Sequence, residues 1–446
     1  MSRSPASAPI KAVLALATFA FVAFVAHAQD ASSNSVLIRN ATVHTAGPQG
    51  TLQNADVLVS GGRIRAIGVG LATPAGAQVV DAANRPLTPT LFGGITGVGI
   101  EEVSGERSTV DASLRLGAET HEMTVRPEFD VTLAYNPASL LVPVARVEGI
   151  GWTLLGAGSG DGGSIVAGQG GVVRLDGGPD PIGPRVLFVD LGSDAAELTG
   201  RSRAAQWMIL DQLIDEVRGR IAPTSHASLL TPAGRKTLAG YLDGGGRVMV
   251  GVDRASDIRQ LLRWAKRHGV RIAIVGGAEA WQLAPQLAAA KVPVFVNPLA
   301  NLPAGFDQLG ATMQNAARLD AAGVSVSFSQ SGDSSHNARK NRQLAGNAVA
   351  AGLPWAEGLA GLTSVPAQAL GVSDTLGTIA PGKRADLVLW SGDPLEVNTV
   401  ALQVWMDGAP VPMRSRQTDL RDRYLRTPVP AENGGLPRAY PSADTR

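Results

Sequence analysis

Between residues 88 and 376, short apolar runs alternate with segments of helical spacing, and this alternation limits the possible fold more than any other feature of the chain. Val248-Met249-Val250-Gly251-Val252 reads as a strand. The following segment, 255–268, sets Ile258, Leu261, Leu262 and Ala265 at helical intervals, and Gly269 stands where a glycine ends a helix. The same logic predicts a strand at 271–275, a helix at 281–290 and a strand at 292–296. A helix at 314–322, closed by Gly323, and a strand at 324–328 follow. Such repetition means βαβ units and a parallel sheet. The length suits a closed (β/α)8 TIM-like barrel with insertions better than a short doubly wound sheet.

Both flanks read as β structure. Segments 36–38, 55–59, 63–67 and 78–80 are short and strand-like, with Ser60-Gly61-Gly62 as a hairpin signal between two of them. Segments 385–390 and 402–406 repeat the pattern before the turn Asp407-Gly408. The expected organisation is therefore a signal peptide at 1–28, a small β domain at 33–88, the barrel at 89–376, the rest of the β domain at 377–425, and a disordered tail at 426–446. The signal peptide rests on Arg3 and Lys11, on the run 13–25 that only Thr18 interrupts, and on Ala26-His27-Ala28 as a small-x-small cleavage site. An uncleaved anchor is the other reading, but the run is short for a bilayer span. Cleavage near Ala28 implies a periplasmic or secreted protein.

Charge is nearly balanced, 39 Lys and Arg against 38 Asp and Glu, which argues against a nucleic-acid partner and against a polybasic membrane surface. With no cysteine in the chain, disulfides, thiolate nucleophiles and Cys-based metal sites are excluded.

Several stretches carry a family resemblance. Ala55-Asp56-Val57-Leu58-Val59-Ser60-Gly61-Gly62-Arg63-Ile64 resembles the amino-terminal strands of amidohydrolases. Leu376-Gly377-Thr378-Ile379-Ala380-Pro381-Gly382-Lys383-Arg384-Ala385-Asp386-Leu387-Val388 resembles that superfamily's carboxy-terminal stretch, and Val404-Trp405-Met406-Asp407-Gly408 its final hairpin. Asp253-Arg254-Ala255-Ser256-Asp257-Ile258, Gly276-Gly277-Ala278-Glu279-Ala280-Trp281, Gly168-Gln169 and His336-Asn337-Ala338-Arg339 resemble parts of a periplasmic branch similar to imidazolonepropionase. The resemblance implies a barrel flanked by a small β-sandwich built from both chain ends, and hydrolysis of a non-peptide C–N bond by metal-bound hydroxide.

That chemistry needs histidines at the ends of strands 1, 5 and 6. At the places the resemblance assigns to them this chain has Ile95, Gly97, Gly251 and Gly276, none of which has a side chain able to donate to a metal. The six histidines are His27, His44, His121, His226, His268 and His336, and no two share a chelating spacing. The expectation is a degenerate amidohydrolase with no cofactor that binds a small-molecule or peptide-like ligand, or a related amidohydrolase subunit. The alternative is an active hydrolase with a rebuilt site, in which Asp253, Glu279, Asp333 and His336 are the catalytic candidates. Glu102, Gln169, Arg254, Asn337 and Arg339 are the binding candidates, and Glu101 and Asn297 are also expected at the mouth. In one form of this alternative Asp253, Glu279 and Asp333 hold one divalent metal ion. The plainer reading pairs these carboxylates with Arg254 and Arg339 at loop bases. Likewise, His336 oriented by Asp333 reads as a general base or simply as a hydrogen-bonding loop residue. The glycine-rich stretch 156–163 has neither GxGxxG nor a Walker ending, and is expected as a loop over the barrel mouth.

Overall fold

The computed structural model describes residues 35–114, 125–160, 163–330, 332 and 334–425. The segments expected as signal peptide and tail lie outside them. Five strands open the described chain: β1 (Val36–His44), β2 (Thr51–Ser60), β3 (Arg63–Gly68), β4 (Gln78–Asp81) and β5 (Pro86–Pro89). β2 and β3 meet through Gly61-Gly62, both at positive φ, with Ser60 opposite Arg63. Only residues tolerant of the left-handed region close so tight a hairpin.

Eight strands then build the barrel: β6 (Leu91–Thr96), β7 (Ile150–Leu155), β8 (Val166–Arg174), β9 (Ile182–Asp190), β10 (Arg247–Val252), β11 (Ile272–Gly276), β12 (Val294–Val296) and β13 (Val326–Phe328). They are hydrogen-bonded in sequence order into a nearly closed sheet. β9 to β13 run parallel, as expected of βαβ units. β8, however, is antiparallel to both β7 and β9. The uniformly parallel barrel is corrected at this strand, and the reason is length: 156–165 and 175–181 are both shorter than the dozen or so residues a parallel crossover needs.

Side chains alternate along the parallel strands. Met249, Ala273 and Phe295 point into the barrel with Phe92, Trp152 and Phe188, and Phe92 lies 4.7 Å from Trp152, centroid to centroid. Val248, Val250, Ile272, Ile274 and Val294 face outward against helices such as Ala255–His268 and Ala284–Ala289. This period of two sorts the plug of the barrel from its helical jacket. The helix expected at 281–290 begins as a 3-10 turn, Ala280–Leu283, before its α segment.

The last strands, β14 (Leu387–Trp390), β15 (Ala401–Met406) and β16 (Ala409–Pro410), return to the first ones. The order is β16-β15-β14-β5-β1-β2-β3, with β4 also on β1. The first and last strands of the described residues thus share one continuous hydrogen-bonded sheet. Among the described residues no helix is long and apolar enough to cross a membrane.

Candidate ligand cleft at the barrel mouth

The carboxy-terminal ends of β9 to β12 open into a cleft of about 760 Å³, the place where barrel proteins carry their chemistry. Its charged lining residues are all acidic: Asp190, Asp194, Glu197, Asp253 and Asp307. Asn297, Gln308, Ser329 and Gln330 add neutral polar groups, and Ser159 and Gly160 bring the glycine-rich stretch to the rim.

Asp190 ends the apolar run Val186 to Val189 of β9, which fixes its carboxyl at the strand end. Ser159 Oγ donates to its Oδ2 at 2.6 Å. Burial pushes this carboxyl above the ordinary aspartate range, against the pull of the Ser159 hydrogen bonds, and no cation offsets it. Asp307 is different. Arg203 pairs with it, and the Ser193 amide and hydroxyl donate to its Oδ2 at 2.8 and 2.6 Å. Burial works to raise this carboxyl too, but those donors hold it below its usual value.

The three glycines at expected metal-ligand places are not open space. A Cβ on Gly251 would lie 2.7 Å from Asp190 Oδ1, and one on Gly276 would lie 2.7 Å from Asp253 Oδ1. A Cβ on Gly97 would lie 2.8 Å from Ser335 Oγ and 2.9 Å from Glu101 Oε2, which are themselves joined at 2.6 Å. At each place a carboxylate reaches into the volume a side chain would need.

Among the sequence-predicted residues, Asp253 and Asn297 line this cleft. Asp253 is held by Ala278 N at 2.9 Å and Gln308 Nε2 at 2.7 Å. Glu279 is buried away from the lining. Its Oε2 accepts from Ala255 N at 2.9 Å and its Oε1 from Gly310 N at 2.8 Å, so it ties a helix start to the 297–314 loop. Arg254 is exposed at that helix start and pairs with neither carboxylate. Gln169 sits within β8 and accepts from Tyr241 Oη at 3.0 Å. Glu102 lies on the loop after β6, where its amide bonds Thr109 O at 3.1 Å. His336 and Asn337 belong to the turn Ser334–Asn337, Arg339 follows in Ala338–Lys340, and none of the three lines the cleft. Asp333 lies outside the described residues.

Asp190, Asp307 and Gln308 were not among the residues the sequence singled out. Asp190 had a legible signal, a carboxylate closing an apolar strand. Asp307 and Gln308 had none, because the loop from 297 to 314 is aperiodic.

As for metal, no group of three His, Asp or Glu side chains among the described residues is arranged to hold an ion. His44 bonds Thr51 Oγ1 at 2.9 Å and packs on Trp355, and burial lowers its pKa. His268 meets Asp211 Oδ1 at 3.1 Å. His226 is exposed, and His27 and His121 lie outside the described residues. The described donors do not fit the metal centre that the resemblance implies.

Comparison with known proteins agrees with this architecture. The amidohydrolase family model matches residues 206–411. An amidohydrolase from Thermotoga maritima MSB8 superposes with a TM-score of 0.73 at 25% identity, over 85% of this chain and 100% of that one. A second amidohydrolase structure gives a TM-score of 0.51 at 19% identity, over 84% and 98%, a likeness of fold alone. Amidohydrolase tasK of Hapsidospora irregularis is 47% identical over 57 residues, which is 13% of this chain and only 6% of that protein's length. The chain therefore matches the amidohydrolase family across 206–411 and has an amidohydrolase-superfamily fold over 85% of its length.

Proposed function

We propose that this chain is an exported amidohydrolase relative, of the branch similar to imidazolonepropionase, that binds a small polar ligand in the acidic cleft without metal-dependent hydrolysis. The observation behind this reading is the filling of the spaces at Gly97, Gly251 and Gly276 by Glu101, Asp190 and Asp253. A metal-binding histidine placed there would have to displace a carboxylate oxygen. The lining favours a small-molecule or peptide-like ligand rich in N–H donors. Acidic groups dominate it, and Gln330 Oε1 is a buried acceptor with no partner.

The test is metal analysis of the purified mature chain after incubation with Zn²⁺, Mn²⁺ and Fe²⁺, beside turnover of linear and cyclic amides. The expected result is substoichiometric metal and no metal-dependent turnover. One ion per chain with chelator-sensitive hydrolysis overturns the reading. An N-terminal sequence of the exported protein beginning near Gln29 supports export, and a retained leader argues against it.

One observation favours a second reading, an active metal-free hydrolase of C–N bonds. Asp190 is a carboxyl whose pKa burial pushes up, facing the cleft without a cationic partner. Metal-independent amide turnover that Asp190→Asn abolishes would establish it.

A further inference from the structure

The same strands whose carboxy-terminal ends form the cleft frame a second cavity at their opposite ends. It measures about 960 Å³ and lies between the helices Ala255–His268 and Ala284–Ala289, over the starts of β10 to β12. Leu262, Val270, Ile272, Leu283 and Val292 give it an apolar floor. Its rim carries Arg247, Arg259, Arg263, Lys266, Arg271 and Lys291, and no carboxylate lines it.

Six cations without a counter-ion stand out in a chain whose charges nearly cancel. Among the described residues none of the six has a carboxylate partner. Arg263 meets only the neutral Gln260, at 3.1 Å, and Arg271 only the carbonyl of Gly244, at 3.1 Å. Arg247 donates to Ala369 O at 2.9 Å and Ile272 O at 2.7 Å. Burial and the nearby Arg271 charge both depress its pKa, so like charges repel here.

Helix chemistry explains part of the pattern but not all of it. Lys266, near the helix end, complements the negative end of the helix dipole. Arg259 and Arg263 lie too early in the helix for that. The same helix sends Arg267 and His268 to Asp211, at 3.6 and 3.1 Å. Arg267 thus has a carboxylate partner, and the cations that line the cavity have none.

We propose that this cavity binds a free amphiphilic anion, a carboxylate or sulfate head on an alkyl or aryl tail. The head answers the rim and the tail covers the floor. The volume falls within the range of small-molecule sites. A polyphosphate chain would satisfy the rim but leave the apolar floor wet, so the floor favours an amphiphile over a nucleic acid.

The probe is laurate below its micellar concentration, titrated calorimetrically into the purified mature chain. One site per chain is expected, with butyrate and dodecyltrimethylammonium each at least tenfold weaker. A second titration uses the double variant Arg263→Glu, Lys266→Glu. Both side chains are exposed, and a tenfold or greater loss of laurate affinity is expected with an unchanged thermal midpoint. Equal binding of laurate and the cationic amphiphile overturns the proposal, as does unaltered laurate affinity in the folded variant. Association with anionic vesicles or heparin but not with monomeric laurate overturns it too, since that would be general surface electrostatics. Should the variant not fold, the ligand series on the unmodified chain still decides. The proposal does not rest on the cleft reading, because Asp253→Asn is expected to leave laurate affinity unchanged.

Discussion

Asp190 closes an apolar strand, and the cost of burying its carboxyl is set against hydrogen bonds from Ser159 alone. Its folded pKa lies above its unfolded one, so the folded state holds more protons across that interval. Its stabilising contribution is therefore complete below the unfolded pKa, at about pH 4, and declines as pH rises through the folded value. Asp190→Asn should raise the thermal midpoint at pH 7 and leave it nearly unchanged at about pH 4. Melting curves at the two pH values check this, and an equal shift at both would refute the assignment. The neighbouring glycine gives a paired prediction. Gly251→His should destabilise the fold by about 1–3 kcal/mol through overpacking against Asp190 Oδ1. Adding Asp190→Ala should recover part of that loss, since sites in contact are not additive. Urea titrations of the three variants measure the coupling.

At the scale of elements, one ion-pair cluster joins the end-built sheet to the barrel. Arg174, at the end of β8, donates from Nη2 to Asp386 Oδ1 at 2.9 Å and from Nε to Oδ2 at 3.1 Å. It also pairs with Asp176 and Asp407. Burial raises the Asp386 carboxyl while Arg174 and the Asp407 amide pull it down. Asp386 belongs to the carboxy-terminal stretch on which the family resemblance rests, and its role here is to anchor one sheet to the other. Arg174→Met should cost about 3–5 kcal/mol, because it strands a buried carboxylate. Pairing it with Asp386→Leu should cost less than Arg174→Met alone, and denaturant midpoints of both variants provide the check. The antiparallel β8 belongs to this scale too. It follows β7 after a short connection whose Ser159 and Gly160 lie at the mouth, where Ser159 reaches Asp190.

For the whole molecule the open question is closure. β13 and β6 are the two free edges of the barrel sheet. Asn341 Nδ2 donates to Phe92 O at 2.9 Å and to Phe328 O at 3.3 Å, and Ser329 Oγ accepts from Ile95 N at 3.3 Å. Side chains, not a strand ladder, span the seam. Asn341→Ala should lose about 1–3 kcal/mol by leaving a buried carbonyl without a donor. Hydrogen exchange should quicken first at β6 and β13, and an even increase across all eight strands would show that Asn341 is not a local staple.

Local chemistry made much of this legible. The period of two in β10 to β12, the apolar stripe of Ala255–His268 with Gly269 at its end, and the hairpin glycines are short-range facts that residues a few positions apart determine. The absence of donor side chains at 95, 97, 251 and 276 is likewise written in the sequence. Tertiary structure alone decided what occupies that space. That Asp190 faces Gly251, that Asp253 faces Gly276, and that Glu279 turns from the mouth to cap a helix depend on the register of neighbouring strands and on where the 297–314 loop docks. Such contacts join residues far apart along the chain, and no local pattern encodes them, because they exist only once the barrel has closed.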